Sequence, residues 1–404
     1  MNMQSMPVPP PAGAKQPLRV PIWILAVVTF SGTLAMHIFI PALPIAGADL
    51  KAGIAEMQLT VSLYIAGLAV GQLVYGPLSD RFGRRPVLMG GLVLYTVSCA
   101  ASIFAPNAEI LIVTRLFQAF GGCAGLVIAR AIVRDICDPT DTVRQLAVMN
   151  LMVVIGPGAA PIVGGLIATS LGWRAIFVAL SVMGAAILYL TWRSIPETRA
   201  DPGDTRFSTF GRHYARLLTS PRFLALSIGG GCATTSMYAF VASAPFIFGN
   251  DLGRPAHEAG IYLAILISGV WIGSMMAKWV IGRMTMARVL IIGNLISVAA
   301  AFVFLAAVLG GFLSVWLVVA SMTVMTMGIG LASPASMTEA FSVNPAVVGS
   351  ASGLYGSAQM AVGAICTALA SLGSHPALSA ALVLAGAGVV AQLCFWFALK
   401  KGKT

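Results

Sequence analysis

The chain is poor in charge. Asp, Glu, Lys and Arg together make up 9% of its 404 residues, where a soluble domain carries about 25%. With 58% of residues apolar, a water-soluble fold would be left with large greasy patches. Cysteine pairs are lacking. Cys99, Cys123, Cys137, Cys232, Cys366 and Cys394 are scattered, with no C-x-x-C spacing, which excludes a disulfide framework and a cysteine metal site. There is no G-x-x-x-x-G-K-[ST] stretch, so this chain alone is not expected to use ATP. Neither H-E-x-x-H nor a nucleophile elbow occurs, so no metal, no cofactor and no enzyme activity is expected. Acidic residues are missing from the middle of every apolar run. Asp49, Glu56, Glu109, Glu258 and Glu339 stand at run ends or in loops.

What is present is about twelve apolar runs, each near the 20 residues that cross a bilayer as a helix. They cover 20–44, 57–79, 86–105, 109–132, 146–169 and 174–194, then 223–248, 258–281, 288–309, 312–334, 346–371 and 376–398. Strands of a barrel would alternate over about 10 residues instead. The fold class is therefore all-α and membrane-spanning, with twelve transmembrane helices in two six-helix bundles. Residues 1–19, with Pro7, Pro9, Pro10, Pro11 and Pro17, read as a disordered tail. The run after it is full-length and lacks a small-residue cleavage site, so it is not read as a signal peptide. The N-terminal bundle is placed at 20–194, a polar linker at 195–222, the C-terminal bundle at 223–399 and a short tail at 400–404.

The net charge is +11. The basic residues fall on one side of the runs, with Arg81, Arg84, Arg85, Arg130, Arg134, Arg193, Arg216 and Arg283 among them. Lys51, Arg174 and Arg254 alone fall on the other. The positive-inside rule then puts both termini in the cytoplasm and makes nucleic-acid binding unnecessary as an explanation. The halves look repeated. Gly282-Arg283 sits between runs eight and nine where Gly83-Arg84 sits between two and three, but Trp279 stands where Asp80 would align.

Between runs two and three lies Gly76-Pro77-Leu78-Ser79-Asp80-Arg81-Phe82-Gly83-Arg84-Arg85-Pro86-Val87-Leu88. It resembles the G-x-L-a-D-r-x-G-r-k-x-x-l signature of the major facilitator superfamily. The resemblance implies a secondary transporter working by alternating access. Gly76, Asp80, Arg81, Gly83, Arg84 and Arg85 would form its cytoplasmic gate. Asp80 could bind a helix N-terminus, and Asn344-Pro345 at the start of run eleven reads as one. The alternative is that the arginines only fix topology.

Two further stretches extend the resemblance. Arg115-Leu116-Phe117-Gln118-Ala119-Phe120-Gly121-Gly122 is similar to R-x-x-Q-G-x-G, with Ala119 at the first glycine. An arginine inside an apolar helix is costly and should face a cavity or partner. Snorkelling to the outer interface is its other reading. Gly156-Pro157-Gly158-Ala159-Ala160-Pro161-Ile162-Val163-Gly164-Gly165 resembles the antiporter motif G-P-x-x-G-G, with Ala160 at the first of those glycines. Its kinking prolines and small residues, Gly156, Pro157, Pro161, Gly164 and Gly165, suit a tightly packed outer gate.

Met36-His37-Ile38-Phe39-Ile40-Pro41-Ala42-Leu43-Pro44, Arg130-Ala131-Ile132-Val133-Arg134-Asp135 and Tyr238–Phe246 resemble the Bcr/CflA branch of multidrug exporters. That branch exports bicyclomycin- and chloramphenicol-type antibiotics, and its members usually carry aspartate where His37 stands. The resemblance implies drug:proton antiport in a bacterial inner membrane, driven by the proton gradient. His37 and Arg115 are the proton-coupling candidates, since histidine titrates near neutrality. A site that is neutral when empty and positive when loaded should favour neutral or anionic amphipathic compounds, phenicols among them, over cations. Tyr64, Gln118, Asn150, Met152, Tyr238, Tyr355 and Gln359 are the expected substrate-cavity residues. The partners are then drug-like molecules, protons and the bilayer, and the chain is expected to be a monomer. A dedicated metabolite exporter or importer on the same fold is the alternative. A membrane sensor or lipid-modifying enzyme fits the gate motifs less well.

Overall fold

The computed structural model describes residues 20–198, 214–344 and 348–400, with backbone only at 139–140, 143, 147, 150–155 and 348–349. The expected tails, Arg199, Arg206 and Arg212 of the linker, Pro345, and the side chains of Asn150 and Met152 lie outside the described residues.

The described chain is helical, with no named strand. Eleven helices are long and apolar enough to cross a membrane. The twelfth expected run lies in a 32-residue helix, Pro139–Ser170. In chain order the helices are α1 Ile22–Ile38, α2 Leu43–Leu50, α3 Ile54–Phe82, α4 Arg84–Ile103, α5 Ala108–Ile136, α6 Pro139–Ser170 and α7 Arg174–Ser194. The second half holds α8 Pro221–Thr234, α9 Met237–Phe246, α10 Ala256–Val280, α11 Met286–Leu309, α12 Val315–Ser342, α13 Val348–Ser371 and α14 Pro376–Lys400.

Two of the twelve runs are broken. The first divides into α1 and α2 around a 3-10 turn at Ile40–Ala42. Pro41 and Pro44 lack the backbone N–H that a continuous ladder would need. The seventh divides into α8 and α9 at Thr235 and Ser236. There the Thr234 hydroxyl donates to Gly230 O and the Thr235 hydroxyl to Gly231 O, bonds that bend helices. The breaks fall in corresponding runs of the two halves.

Neighbour relations repeat as well. In the first half α3 and α4 pack on α5, α4 on α7 and α1 on α6. In the second, α10 and α11 pack on α12, α11 on α14, and α8 with α9 on α13. The halves meet along two seams, α3 on α13 and α6 on α10. They touch again where the Ile40–Ala42 turn and α2 reach α9. Discontinuous helices flanking a seam between repeats is the plan on which transporter sites are built.

Candidate transport site

The site is assembled on the second half of α1. Three carbonyls of its ladder take up side chains from other elements, and a fourth pairs with a side chain of α1 itself. Tyr95 of α4 donates to Ser31 O at 3.5 Å and Tyr64 of α3 to Gly32 O at 2.8 Å. Arg115 of α5 donates to Ala35 O at 3.0 Å. His37 Nδ1 lies 2.9 Å from Thr33 O. A carbonyl only accepts, so Nδ1 carries the hydrogen and the neutral ring leaves Nε2 as a bare lone pair.

Arg115 is fully buried, which rules out the snorkelling reading in this structure. Its guanidinium sits 4.1 Å from the centre of the Tyr64 ring, 5.4 Å from Phe39 and 6.0 Å from Phe177. Each ring face offers a cation roughly 0.5–2 kcal/mol. Gln118 accepts a second Nη1 bond at 2.6 Å and donates to Cys99 Sγ at 2.9 Å. Nε and Nη2 have no hydrogen-bond partner. No ion pair to Arg115 occurs among the described residues. Burying a cation costs several kcal/mol even after relaxation, so aromatic faces and two acceptors hold a charge that no carboxylate among the described residues neutralises.

His37 is buried, its Nε2 is unpartnered, and its ring centre lies 6.0 Å from that of Tyr238 on α9. It therefore stands where the halves meet, beside the break in the first run. Across the bundle a second polar group surrounds the break in the seventh. Gln359 Nε2 donates to Thr234 Oγ1 at 3.0 Å and to Tyr355 OH at 3.2 Å. Tyr355 OH pairs with Ser336 Oγ at 2.8 Å, and Thr235 donates to Gln359 O at 2.7 Å.

These features fit a carrier with a central site, and comparison with known proteins fixes which kind. The Major Facilitator Superfamily profile matches residues 25–367. The chain belongs to the major facilitator superfamily. It is 30% identical to a chloramphenicol resistance protein of Pseudomonas aeruginosa, over 79% of this chain and 75% of that one. It is 27% identical to multidrug resistance protein D of Escherichia coli K12, over 92% of this chain and 94% of that one. Among solved structures, a D-xylose-proton symporter superposes with a TM-score of 0.77 over 93% of this chain and 96% of the other, at 15% identity. That last likeness speaks for the fold alone. This facilitator is thus a multi-pass membrane transporter with drug-resistance proteins among its relatives.

The superfamily turn is a closed polar knot. Arg84 pairs with Asp80 at 2.6 Å and with Asp135 of α5 at 2.9 Å, and donates to Ser79 Oγ at 2.8 Å. Gly83 has φ +94° and lets α4 begin abruptly after α3, a conformation costly to any residue with a Cβ. The first N–H groups of α4 then meet a carboxylate from beyond α7. Arg84 N and Arg85 N donate to Glu197 at 2.9 and 3.0 Å, where the helix dipole favours an anion. Thr198 donates to Asp135 at 3.4 Å. Tyr214, just ahead of α8, packs by this turn. Burial pushes its phenol up, and the Asp80 charge adds to the shift.

The proline-glycine stretch of α6 is a wedge between halves. A Cβ on Gly164 would run into the Ile38 carbonyl of α1, and one on Gly156 would meet Thr33 Oγ1 at 3.0 Å. On its other side Gly165 faces Ala256 O, and the Pro161 carbonyl lies against Gly260 of α10. Close backbone approach explains the small residues there.

The expected residues thus separate into groups. His37 lies against Tyr238, and Arg115 bonds to the carbonyl of Ala35 on the same helix as His37. Tyr64 and Gln118, expected to line the cavity, are fully buried around Arg115. Tyr355 and Gln359 form the C-terminal polar group. Sequence reasoning missed Phe39 and Phe177 at the guanidinium, Thr234 and Ser336 at Gln359, and Glu197 at the gate turn. Glu197 alone left a sign, as an acidic residue just past a basic run end.

Proposed function

We propose that this transporter exports small amphipathic compounds from a bacterial cytoplasm, across the inner membrane, in exchange for protons. Phenicol antibiotics are representative cargo, and neutral or anionic compounds are handled better than cations. The observation that carries the reading is His37: a buried imidazole with an open Nε2, at the joint of the two halves and beside a fixed positive charge. No carboxylate among the described residues shares that place. Proton uptake at Nε2 adds a second positive charge next to Arg115, which opposes cationic cargo. Asp80, Arg84 and Glu197 act in this reading as the cytoplasmic latch, and the α6 wedge as the outer gate. The halves then rock about the α3–α13 and α6–α10 seams.

The test is a drug-susceptibility panel at two external pH values, in a pump-deficient host expressing wild type or His37→Ala. Expression of wild type should raise resistance to phenicols, more so at the lower pH, and His37→Ala should abolish the effect while still inserting. Unchanged susceptibility with wild type would favour a dedicated metabolite carrier. Gradient-dependent efflux retained by His37→Ala would remove His37 from coupling.

A further inference from the structure

The polar group at the second break is wired in one direction only. The Thr234 hydroxyl has a single hydrogen and gives it to Gly230 O at 2.6 Å, so toward Gln359 it can only accept. The Gln359 atom 3.0 Å from it is therefore the amide nitrogen, Nε2. The second Nε2 hydrogen goes to Tyr355 OH at 3.2 Å, and that hydroxyl pairs with Ser336 of α12. α8 makes room for the knot with Gly230, where a Cβ would meet Tyr355 OH at 2.5 Å and Ser336 Oγ at 2.7 Å. Thr235 holds the backbone carbonyl of Gln359 at 2.7 Å. A flipped amide would set Oε1 against a hydroxyl whose hydrogen is already committed. Both amide hydrogens are thus spent inward. Oε1 accepts no hydrogen bond among the described residues and is not sealed from solvent.

The open oxygen lies on the inner side of α13. Gln359 shares a helix face with Gly363, Cys366 and Ala370, at four, seven and eleven residues on, and all three are buried. The exposed Ile365 and Leu369 lie on another face. One turn earlier, a Cβ on Gly356 would run into the Gln72 amide of α3, in the other half. Gln359 itself is only half-buried, so its accessible surface opens inside the protein, on the side that looks toward the other half. We infer that Gln359 Oε1 is a specificity-determining acceptor of the transport site, and that cargo is selected for a hydrogen it can donate there, from a hydroxyl or an amide N–H. A compound that displaces water from Oε1 without replacing its hydrogen bond leaves an acceptor unsatisfied, and a site built this way rejects the analogue that lacks the donor. Compounds with acceptors only, such as ethers, esters and tertiary amides, are disfavoured however apolar they are. Chloramphenicol carries three suitable hydrogens, on two hydroxyls and one amide. The inference rests on the reading of phenicols as cargo, and it adds the hydrogen-bonding polarity by which they are chosen.

The test is calorimetry on the full chain in detergent with chloramphenicol and three derivatives, each lacking one donor: primary hydroxyl replaced by fluorine, secondary hydroxyl methylated, amide nitrogen methylated. Wild type should bind one derivative about three- to tenfold more weakly than chloramphenicol, the loss expected of one neutral hydrogen bond. Gln359→Met should bind chloramphenicol about as weakly as wild type binds that derivative, with no further loss on the derivative itself, because both changes delete the same interaction. The other two derivatives should lose affinity independently of Gln359. Thr234→Val keeps Oε1 but frees one Nε2 hydrogen, so it should narrow the gap between chloramphenicol and the sensitive derivative; this variant decides the matter should Gln359→Met fail to fold. Losses that add for all three derivatives, an unchanged gap in Thr234→Val, or binding of none of the four to folded wild type would each overturn the inference. Flux in sealed vesicles is read separately. Binding that follows the expected pattern without flux refutes the export reading alone, and flux of chloramphenicol with additive losses refutes the role of Gln359 alone.

Discussion

Arg115 keeps a full charge inside an apolar bundle because backbone oxygen and ring faces surround it. Tyr64 contributes twice, through its hydroxyl bond to Gly32 O and through the ring 4.1 Å from the guanidinium. Tyr64→Phe keeps the ring and loses the bond, which should cost about 1 kcal/mol. Tyr64→Leu loses the cation–π contact as well, a further ~0.5–2 kcal/mol. Thermal unfolding in detergent should rank wild type above Tyr64→Phe and Tyr64→Phe above Tyr64→Leu; equal melting of the two variants would mean the ring does not hold the charge. At this scale the sequence was legible in part. An arginine in run four and a histidine in run one stand out because polar residues are scarce there. Their partners did not show, because Arg115 bonds to a backbone carbonyl and Phe39 and Phe177 look like any apolar filler. Tyr64 and Gln118, expected at the cavity, surround Arg115 in the structure, a contact that hydropathy cannot foretell.

Helix α6 shows how an element converts small residues into position. Gly164 admits the Ile38 carbonyl, and α1 ends there, one residue after His37. Gly158, six residues earlier, has only the Trp271 ring at 3.7 Å, an ordinary contact. Gly164→Val should therefore push α6 off α1 and abolish transport, with a loss of stability of about 1–3 kcal/mol from overpacking. Gly158→Ala should leave both nearly unchanged. Flux in sealed vesicles separates them, and a transport-competent Gly164→Val would show that the close approach is dispensable. The gate turn offers a matching contrast. Gly83 holds a positive φ and its missing Cβ makes room for Glu197, while a Cβ on Gly76 meets nothing within 4 Å. Gly83→Ala should impair export and Gly76→Ala should not, although both glycines belong to the superfamily signature. Eleven of the twelve expected runs coincide with helices long and apolar enough to span, since length and apolarity alone define a span, and the twelfth lies within α6. The break in run one was foreshadowed by Pro41 and Pro44. That in run seven was not, because it is made by threonine hydroxyls turned back on their own helix.

The whole molecule is a balance between contacts at its two ends. At the end holding Glu56 and Asp49, Gln58 of α3 donates to Ser243 of α9 at 2.9 Å, a buried bond from one half to the other. At the opposite end Asp80 of α3 faces Tyr214, which enters the second half, and α3 lies along α13. Alternating access requires that one end loosen as the other tightens, so each contact biases the equilibrium between the two facings. Each half also carries its own bracing. Arg174 and the Trp173 indole hold Asp49 of α2, and Arg222 pairs with Glu339 at 3.2 Å. The brace at the gate turn has no full counterpart, because Trp279 receives Arg283 against its ring where Asp80 would receive Arg84. Removing Gln58 should therefore favour opening at its own end, and removing Asp80 should favour opening at the other. A single buried bond is worth about 1 kcal/mol, or roughly a fivefold change in the ratio of the two states. Distance distributions between spin labels at each end, measured in Gln58→Ala, in Asp80→Asn and in the double variant, should move in opposite directions for the singles and return toward wild type when combined. Shifts of the same sign in both singles would mean that the two contacts stabilise one closed state instead of opposing each other.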